Sequence, residues 1–158
     1  MKQVTLCFVY REDGHLLLGL KKRGFGTGKW NGFGGKIERG ESPQQAAVRE
    51  LHEECGLEAR PEDLDPRGTL TFFFPDRPEF DHYVHVFVLS RWRGEPSETA
   101  EMRAVWHAVA DLPFDAMWDD DKYWLPLVLE GKWIDATFTY KSDNETVDTM
   151  SIDVRCKR

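Results

Sequence analysis

Apolar and polar positions along the chain follow two different periods. Residues 4–10 and 15–20 are dense in Val, Leu, Phe and Tyr and flank Arg11-Glu12-Asp13-Gly14, whose Asp-Gly end favours a hairpin. Residues 69–74, 83–89 and 105–109 read as further strands. Residues 133–140 alternate Trp, Ile, Ala, Phe and Tyr with polar side chains; with residues 146–154 they predict a closing hairpin over Ser142-Asp143-Asn144-Glu145. The spacing turns helical after Ser42-Pro43. Ser42 suits the N-cap, Pro43 the first helical position and Gln45 a capping box, and Gly56 supplies the left-handed stop after Cys55. Residues 120–130 read as a second, apolar helix in which Pro126 predicts a kink or a late start. Residues 21–36 are glycine-rich and read as loop or irregular strand. Strands with two helices inserted between them predict an α+β fold, an α/β/α sandwich with a mixed sheet between helices and a C-terminal hairpin, as one domain over residues 1–158.

Composition narrows the function classes. The 158 residues carry 21 Lys+Arg against 28 Asp+Glu, a net charge of −7, which argues against a duplex nucleic-acid surface. With 41% apolar residues a core can form without disulfide or metal staples. No apolar run approaches the roughly 18 residues that span a bilayer, and the N-terminus reads as a first strand, not a signal peptide. Cys7, Cys55 and Cys156 are odd in number, far apart and free of any CxxC pair, so a reducing, cytoplasmic compartment is expected. The sequon Asn144-Glu145-Thr146 is then a chance match.

Chemistry concentrates on the first helix. At 100° per residue, Glu50, Glu53 and Glu54 fall within about 100° of one another, while Ala47, Val48, Leu51 and Cys55 gather on the other side. Like charges so crowded need either dilution by solvent or neutralisation by a cation, and hard oxygen donors suit Mg²⁺ or Mn²⁺. On the helix alone, a solvated acidic face and a metal site both remain open. The basic loop Gly24-Phe25-Gly26-Thr27-Gly28-Lys29-Trp30 is no Walker loop, since its spacing fails and Trp30 stands where Ser or Thr is needed; nor is it GxGxxG, since Lys29 takes the third glycine position.

Gly35, Glu41 and Arg49-Glu50-Leu51-His52-Glu53-Glu54-Cys55-Gly56-Leu57 fill every specified position of G-x5-E-x7-R-E-U-x-E-E-x-G-U, with U aliphatic. The stretch resembles the Nudix box. That resemblance implies a loop–helix–loop that binds divalent metal and hydrolyses a nucleoside diphosphate linked to another group. It implies Glu50, Glu53 and Glu54 as metal ligands, joined by the backbone carbonyl of Gly34, with Glu41 and Arg49 as a salt-bridged support. The chemistry is consistent: metal ions screen a polyphosphate and lower the pKa of bound water.

Three further segments carry a closer resemblance, to the animal MutT-homologue branch of that family, hydrolases of oxidised purine nucleoside triphosphates. They are Lys21-Lys22-Arg23-Gly24-Phe25-Gly26 with Lys29-Trp30-Asn31-Gly32-Phe33-Gly34-Gly35-Lys36, then Glu101-Met102-Arg103, then Pro113-Phe114 with Met117 through Leu127. The likeness implies a base pocket of Asn31, Trp118, Asp120 and Asp121, with Thr5, Lys21, Phe25, Phe72, Phe74 and Met102 lining or closing it. It also implies Glu101 as a further metal ligand or a base for the attacking water. A flat purine suits an indole platform with a few placed polar groups. Oxidation at C8 turns N7 from acceptor into donor, which a carboxylate can accept. Crowding is expected to make one of Asp120 and Asp121 a donor and the other an acceptor, admitting more than one oxidised purine. The chain departs from the branch at Asp119, usually Pro, and at Phe80-Asp81-His82-Tyr83, which has an extra residue and lacks an apolar pocket Met.

Several features invite plainer readings. Asp119, Asp120 and Asp121 also suit a helix N-terminus, and the two roles are compatible. Lys21, Lys22, Arg23 and Lys29 can steer a triphosphate or be ordinary loop charges. His82 and His85 point to opposite faces of a strand, which speaks against a shared metal site. His52 and Cys55 lack a third partner for a nucleophilic pair. Trp92, Trp106, Trp124 and Trp133 read as core or hairpin residues more than as stacking platforms. The expected function is Mg²⁺-dependent hydrolysis of oxidised purine nucleoside triphosphates such as 8-oxo-dGTP and 2-hydroxy-dATP to monophosphate and pyrophosphate; the family resemblance implies attack at the β-phosphorus, which the residues themselves leave open. The expected enzyme is a monomer with a small-molecule substrate and neither membrane nor duplex partner. The alternatives are a broader house-cleaning Nudix hydrolase for other modified nucleotides or RNA 5′ ends, and a catalytically silent nucleotide-binding module. The intact glutamate set speaks against silence, and the lack of an extended basic groove against RNA ends.

Overall fold

In the computed structural model, which describes residues 1–156, the sheet forks, and the fork makes room for the site. Strands β1 (Lys2–Arg11) and β2 (His15–Lys21) pair only at their hairpin end, from Val9↔Leu17 to Arg11↔His15. Beyond it they part, and residues 30–37 run between them. On one side the short strand β3 (Trp30–Asn31) pairs with Gly19 and Leu20 of β2. On the other, Cys7 and Phe33 exchange both backbone hydrogen bonds, Thr5 N–H donates to Gly35 O at 2.9 Å, and Ile37 N–H to Gln3 O at 2.9 Å. A stretch read as loop or irregular strand is thus hydrogen-bonded into the sheet on both edges.

The remaining strands are β4 (Leu64–Phe73), β5 (His82–Leu89), β6 (Met102–Ala108), β7 (Lys132–Tyr140) and β8 (Val147–Cys156). They give the mixed order β3-β2-β1-β5-β4-β7-β8, with β6 alongside β2. β1 runs parallel to β5 and β4 parallel to β7; the other pairs are antiparallel. β4 starts earlier than its alternation suggests because Asp65-Pro66-Arg67-Gly68, a turn-like sequence, forms a register shift between Pro66 and Gly68 and not a turn. The expected closing hairpin is present as β7 and β8.

Each face of the sheet carries one helix, giving the expected α/β/α sandwich. α1 (Pro43–Cys55) has the full capping box: Gln45 N–H donates to Ser42 Oγ at 3.1 Å and Ser42 N–H to Gln45 Oε1 at 2.9 Å. Its Leu51 and Cys55 pack on Cys7, Val9 and Leu17, whereas Trp124, Leu125 and Val128 of α2 (Asp121–Leu129) pack on Phe8, Leu16 and Leu18. Consecutive residues of β1 and β2 thus serve opposite cores, as the two-residue period of a strand requires. α2 runs through Pro126 without a delayed start, since buried Trp124, Leu125 and Val128 anchor both sides of the proline. No described helix is long and apolar enough to cross a membrane. The three cysteines are free.

Candidate active site

The forked segment presses against both β1 and α1. A methyl group on Gly34 would lie 1.7 Å from Thr5 O, and one on Gly35 would lie 2.6 Å from the Glu50 carboxyl carbon. Only glycine lets the chain pass so close to the strand and to the helix's acidic face. Glu50 and Glu54 of the polar stripe therefore face this segment, while Glu53 remains exposed. Gly34 N–H donates to Glu54 Oε1 at 2.8 Å, and Glu54 is only 4% exposed.

Arg49 organises the neighbouring acids. Its Nε and Nη2 donate to Glu41 at 2.8 and 2.9 Å, Nη2 also to Lys36 O at 3.0 Å, and Nη1 to Glu50 Oε1 at 2.9 Å and more weakly to Glu53 at 3.4 Å. The Arg49 guanidinium, with the Glu38 N–H, pulls Glu41 down to about 2. Burial pushes Glu54 up to about 8 against the Gly34 N–H, helped by the charges of Glu50 and Glu101. Burial also raises Glu50, outweighing Arg49. Glu101 stands at the rim, paired with Arg23 Nη2 at 3.2 Å. Among the described residues no group of three or more His, Cys, Asp or Glu is drawn together as an ion would draw it. The donor chemistry nevertheless fits a hard divalent cation. Glu41, Glu50 and Glu53 share one guanidinium, and Glu54 is buried with no salt-bridge partner among the described residues, so that a cation would favour its ionised form. The groups available to such an ion are Glu50, Glu53, Glu54, Glu101 and the Gly34 carbonyl.

A cavity of about 310 Å³ begins at Gly34, Gly35 and Glu54 and runs to Asp120 and Asp121. Every residue expected around the base lines it: Thr5, Lys21, Asn31 and Met102 along the fork, and Phe25, Phe72, Phe74 and Trp118 as aromatic walls. Phe25 lies 5.0 Å from Trp118 between ring centroids, with planes 35° apart. Asn31 Oδ1 accepts the Gly32 N–H at 2.8 Å, which leaves its amide nitrogen available. Glu41, Arg49, Glu50, Glu53 and Glu101 do not line the cavity; they stand behind or beside its glutamate end.

Asp120 and Asp121 are each 2% exposed. Asp120 Oδ2 accepts the Trp124 Nε1–H at 2.7 Å, and Oδ1 accepts the Tyr140 hydroxyl. Burial raises both carboxyls, Asp121 well above its ordinary value because the Asp120 charge adds to the effect. The capping role expected of the aspartate run is not realised: Asp120 makes no side-chain cap bond, because its carboxylate is turned to Trp124 and Tyr140. Asp119 leaves the pocket altogether. It accepts the Val147 N–H at 2.8 Å and pairs with Lys122 at 2.9 Å; these contacts overcome partial burial and keep its carboxyl low.

The sequence marks Phe80 and His82 only as part of a wall that departs from the branch, and it gives Lys2 and Tyr140 no place in the site. His82 lies in the cavity with its ring stacked on Phe72 at 4.9 Å and its pKa lowered by burial, while His85 meets Gln3 outside it. Lys2, Phe80 and Tyr140 also line the cavity, and Trp124 is both core and hydrogen-bond donor. The alternation of β7 was the available signal for Tyr140, since it shares a face with Ile134, Ala136 and Phe138. Of the basic loop only Lys21 and Lys29 reach the wall; Lys22 pairs with Glu98 and Arg23 with Glu101.

Residues 2–128 match the NUDIX domain. The chain is 44% identical over 147 residues to the oxidized purine nucleoside triphosphate hydrolase of Danio rerio, covering 93% of this chain and 92% of that protein. It is 42% identical over 148 residues to the protein of the same name from Mus musculus, covering 94% and 92%. Among solved structures, a mutator MutT protein from Bacillus halodurans superposes with a TM-score of 0.84 at 25% identity, over 97% of this chain and 98% of that one.

Proposed function

The chain belongs to the Nudix family, and from that premise we propose that it hydrolyses oxidised purine nucleoside triphosphates, such as 8-oxo-dGTP and 2-hydroxy-dATP, to the monophosphate and pyrophosphate. It does so with Mg²⁺, which Mn²⁺ can replace, as a cytoplasmic monomer that clears damaged precursors from the nucleotide pool. One observation carries the reading. A single cavity joins the glutamate end to a pocket with aromatic walls and a buried pair of aspartates at its edge. The near-full-length likeness to two hydrolases named for oxidized purine nucleoside triphosphates supports the same substrate class.

Glu50, Glu53, Glu54, Glu101 and the Gly34 carbonyl hold the cation, which when bound screens the phosphates and lowers the pKa of water. Arg49 and Glu41 keep Glu50 and Glu53 in place, and Gly35 lets Glu50 approach the loop. Lys21 lines the cavity near enough to Glu54 to favour its charge, and from there meets the phosphate chain. Phe25, Phe74 and Trp118 pack against one another as an aromatic wall, and the purine lies against that wall, which excludes water from its face. Asn31, Asp120 and Asp121 read its edge. Holding base and phosphates from opposite ends of one cavity orients the phosphate chain for in-line attack by water.

The test compares hydrolysis of 8-oxo-dGTP, 2-hydroxy-dATP and dGTP with Mg²⁺ and identifies the products. Preference for an oxidised substrate with release of pyrophosphate is expected; equal turnover of dGTP and 8-oxo-dGTP would overturn the substrate class in favour of a broader house-cleaning activity. Glu54→Gln is expected to lower kcat at least about a hundredfold, and a fully active variant would overturn the ligand assignment.

A further inference from the structure

The polar edge of the cavity has an asymmetry that the purine-binding role alone does not need. Both oxygens of Asp120 are already engaged by donors of the protein, Trp124 Nε1–H at 2.7 Å and the Tyr140 hydroxyl. The indole N–H can only donate. The phenol is almost as constrained. Tyr140 is buried, and its oxygen accepts the Asp120 backbone N–H at 3.3 Å, so its own proton is directed to Asp120 Oδ1. A carboxyl group facing two committed donors is an acceptor. Asp121 is in the opposite position: it is buried, lines the cavity, and its Oδ2 has no hydrogen-bond partner in the protein. The other charged or titratable groups of the wall nearby are His82 on β5, Lys2 on β1 and Lys21 on β2, and none of them donates to Asp121.

We propose that Tyr140 is a specificity-positioning residue: with Trp124 it keeps the single proton of the aspartate pair on Asp121, so that the pocket shows a purine one fixed acceptor–donor order. Resting on the substrate reading above, this order selects within the oxidised purines. A 6-oxo purine presents a lactam edge, N1–H beside a C6 carbonyl, whereas a 6-amino purine presents an amidine edge, with acceptor and donor exchanged. A pair whose proton can move serves both; a pair whose proton is fixed satisfies one and leaves buried polar groups of the other unpaired. Asp120 accepts N1–H and Asp121 donates to the C6 oxygen. The lactam-edged nucleotide is therefore preferred, and the expectation that the pair serves several oxidised purines alike is narrowed.

Two measurements decide it. The first is calorimetric binding of 8-oxo-dGMP and 8-oxo-dAMP, whose N1 stays an acceptor beside the 6-amino donor, without metal, to the wild type and to Tyr140→Phe. The wild type is expected to favour 8-oxo-dGMP at least about tenfold, and loss of the hydroxyl to bring the ratio of the two dissociation constants to within about threefold of unity. An unchanged ratio in the variant, or a wild type that binds both alike or favours 8-oxo-dAMP, overturns the proposal. The second uses the nucleotide-free wild type labelled with ¹³C at aspartate carboxyls. At neutral pH a protonated carboxyl resonance is expected that disappears in Asp121→Asn and persists in Asp120→Asn; the reverse pattern, or no protonated carboxyl, overturns it. If neither nucleotide binds, the substrate reading falls, while the carboxyl spectrum still decides where the proton lies.

Discussion

A methyl group at position 34 would sit 1.7 Å from a backbone oxygen of β1, whereas one at position 35 would first meet the carboxylate of Glu50. The difference separates two roles of adjacent glycines. Gly34→Ala forces β1 and the loop apart and is expected to cost about 3 kcal/mol of stability. Gly35→Ala displaces a side chain, and is expected to leave the urea midpoint nearly unchanged while lowering kcat roughly a hundredfold, since a shift of about 1 Å in a site group has that effect. Paired urea melts and rate measurements check both. At Asp121 the expected signature is a pH dependence. Burial and the neighbouring Asp120 charge raise its carboxyl in the folded chain, so folding takes up protons there. The stability contributed is full below the unfolded carboxylate range and is lost as pH rises through the raised folded value. Asp121→Asn removes that titration, so its unfolding free energy, measured relative to the wild type from about pH 4 to about pH 8, is expected to rise with pH. A constant difference would show that Asp121 titrates normally.

At the scale of elements, α1 shows how a helix can be legible in outline and misplaced in detail. Its boundaries and caps follow from Ser42, Pro43, Gln45 and Gly56. Its wheel groups the glutamates on one stripe, yet Glu54 lies at the buried edge of that stripe, because the forked segment covers it. The capping box is remote from the reacting end, so Ser42→Ala is expected to lower stability by about 1 kcal/mol with kcat intact, which parallel denaturation and turnover measurements check. β4 teaches the converse. Pro66 and Gly68 are turn residues locally, but the register shift accommodates both, and Gly68 takes φ 123° where an added methyl would strike Ile134 O.

The whole molecule closes the cavity by joining distant loops. Lys29, after the glycines of the first long loop, pairs at 2.7 Å with Glu145 in the β7–β8 turn and lies 5.0 Å from the Trp118 ring centroid. The pair is half open to water, so Glu145→Gln is expected to change stability by less than about 1 kcal/mol. It releases the loop that carries Phe25, however, and KM is expected to rise about two- to threefold with kcat unchanged. Steady-state kinetics with 8-oxo-dGTP would show it, and an unchanged KM would mean that the contact does not hold the loop.

What the chain determined by itself was whatever depends on neighbours in sequence. The strand and helix periods, the caps of α1, and the glutamate spacing set against Gly35, Glu41 and Arg49 are local relations that survive without knowledge of the fold. The resemblance over three segments extended this to Asn31, Trp118, Asp120 and Asp121, all of which reach the cavity. Only the tertiary structure decided which way those side chains turn. Asp119, Asp120 and Asp121 are indistinguishable as a run of acids; one goes to Lys122 and Val147, one to Trp124 and Tyr140, and one is left without a partner for Oδ2. Tyr140 and His82 read as ordinary strand residues because their partners lie 20 and 10 positions away, respectively, at Asp120 and Phe72. The physical reason is that a hydrogen bond or a ring contact between strands depends on sheet order and on where the sheet forks, and neither is a property of any short stretch of sequence.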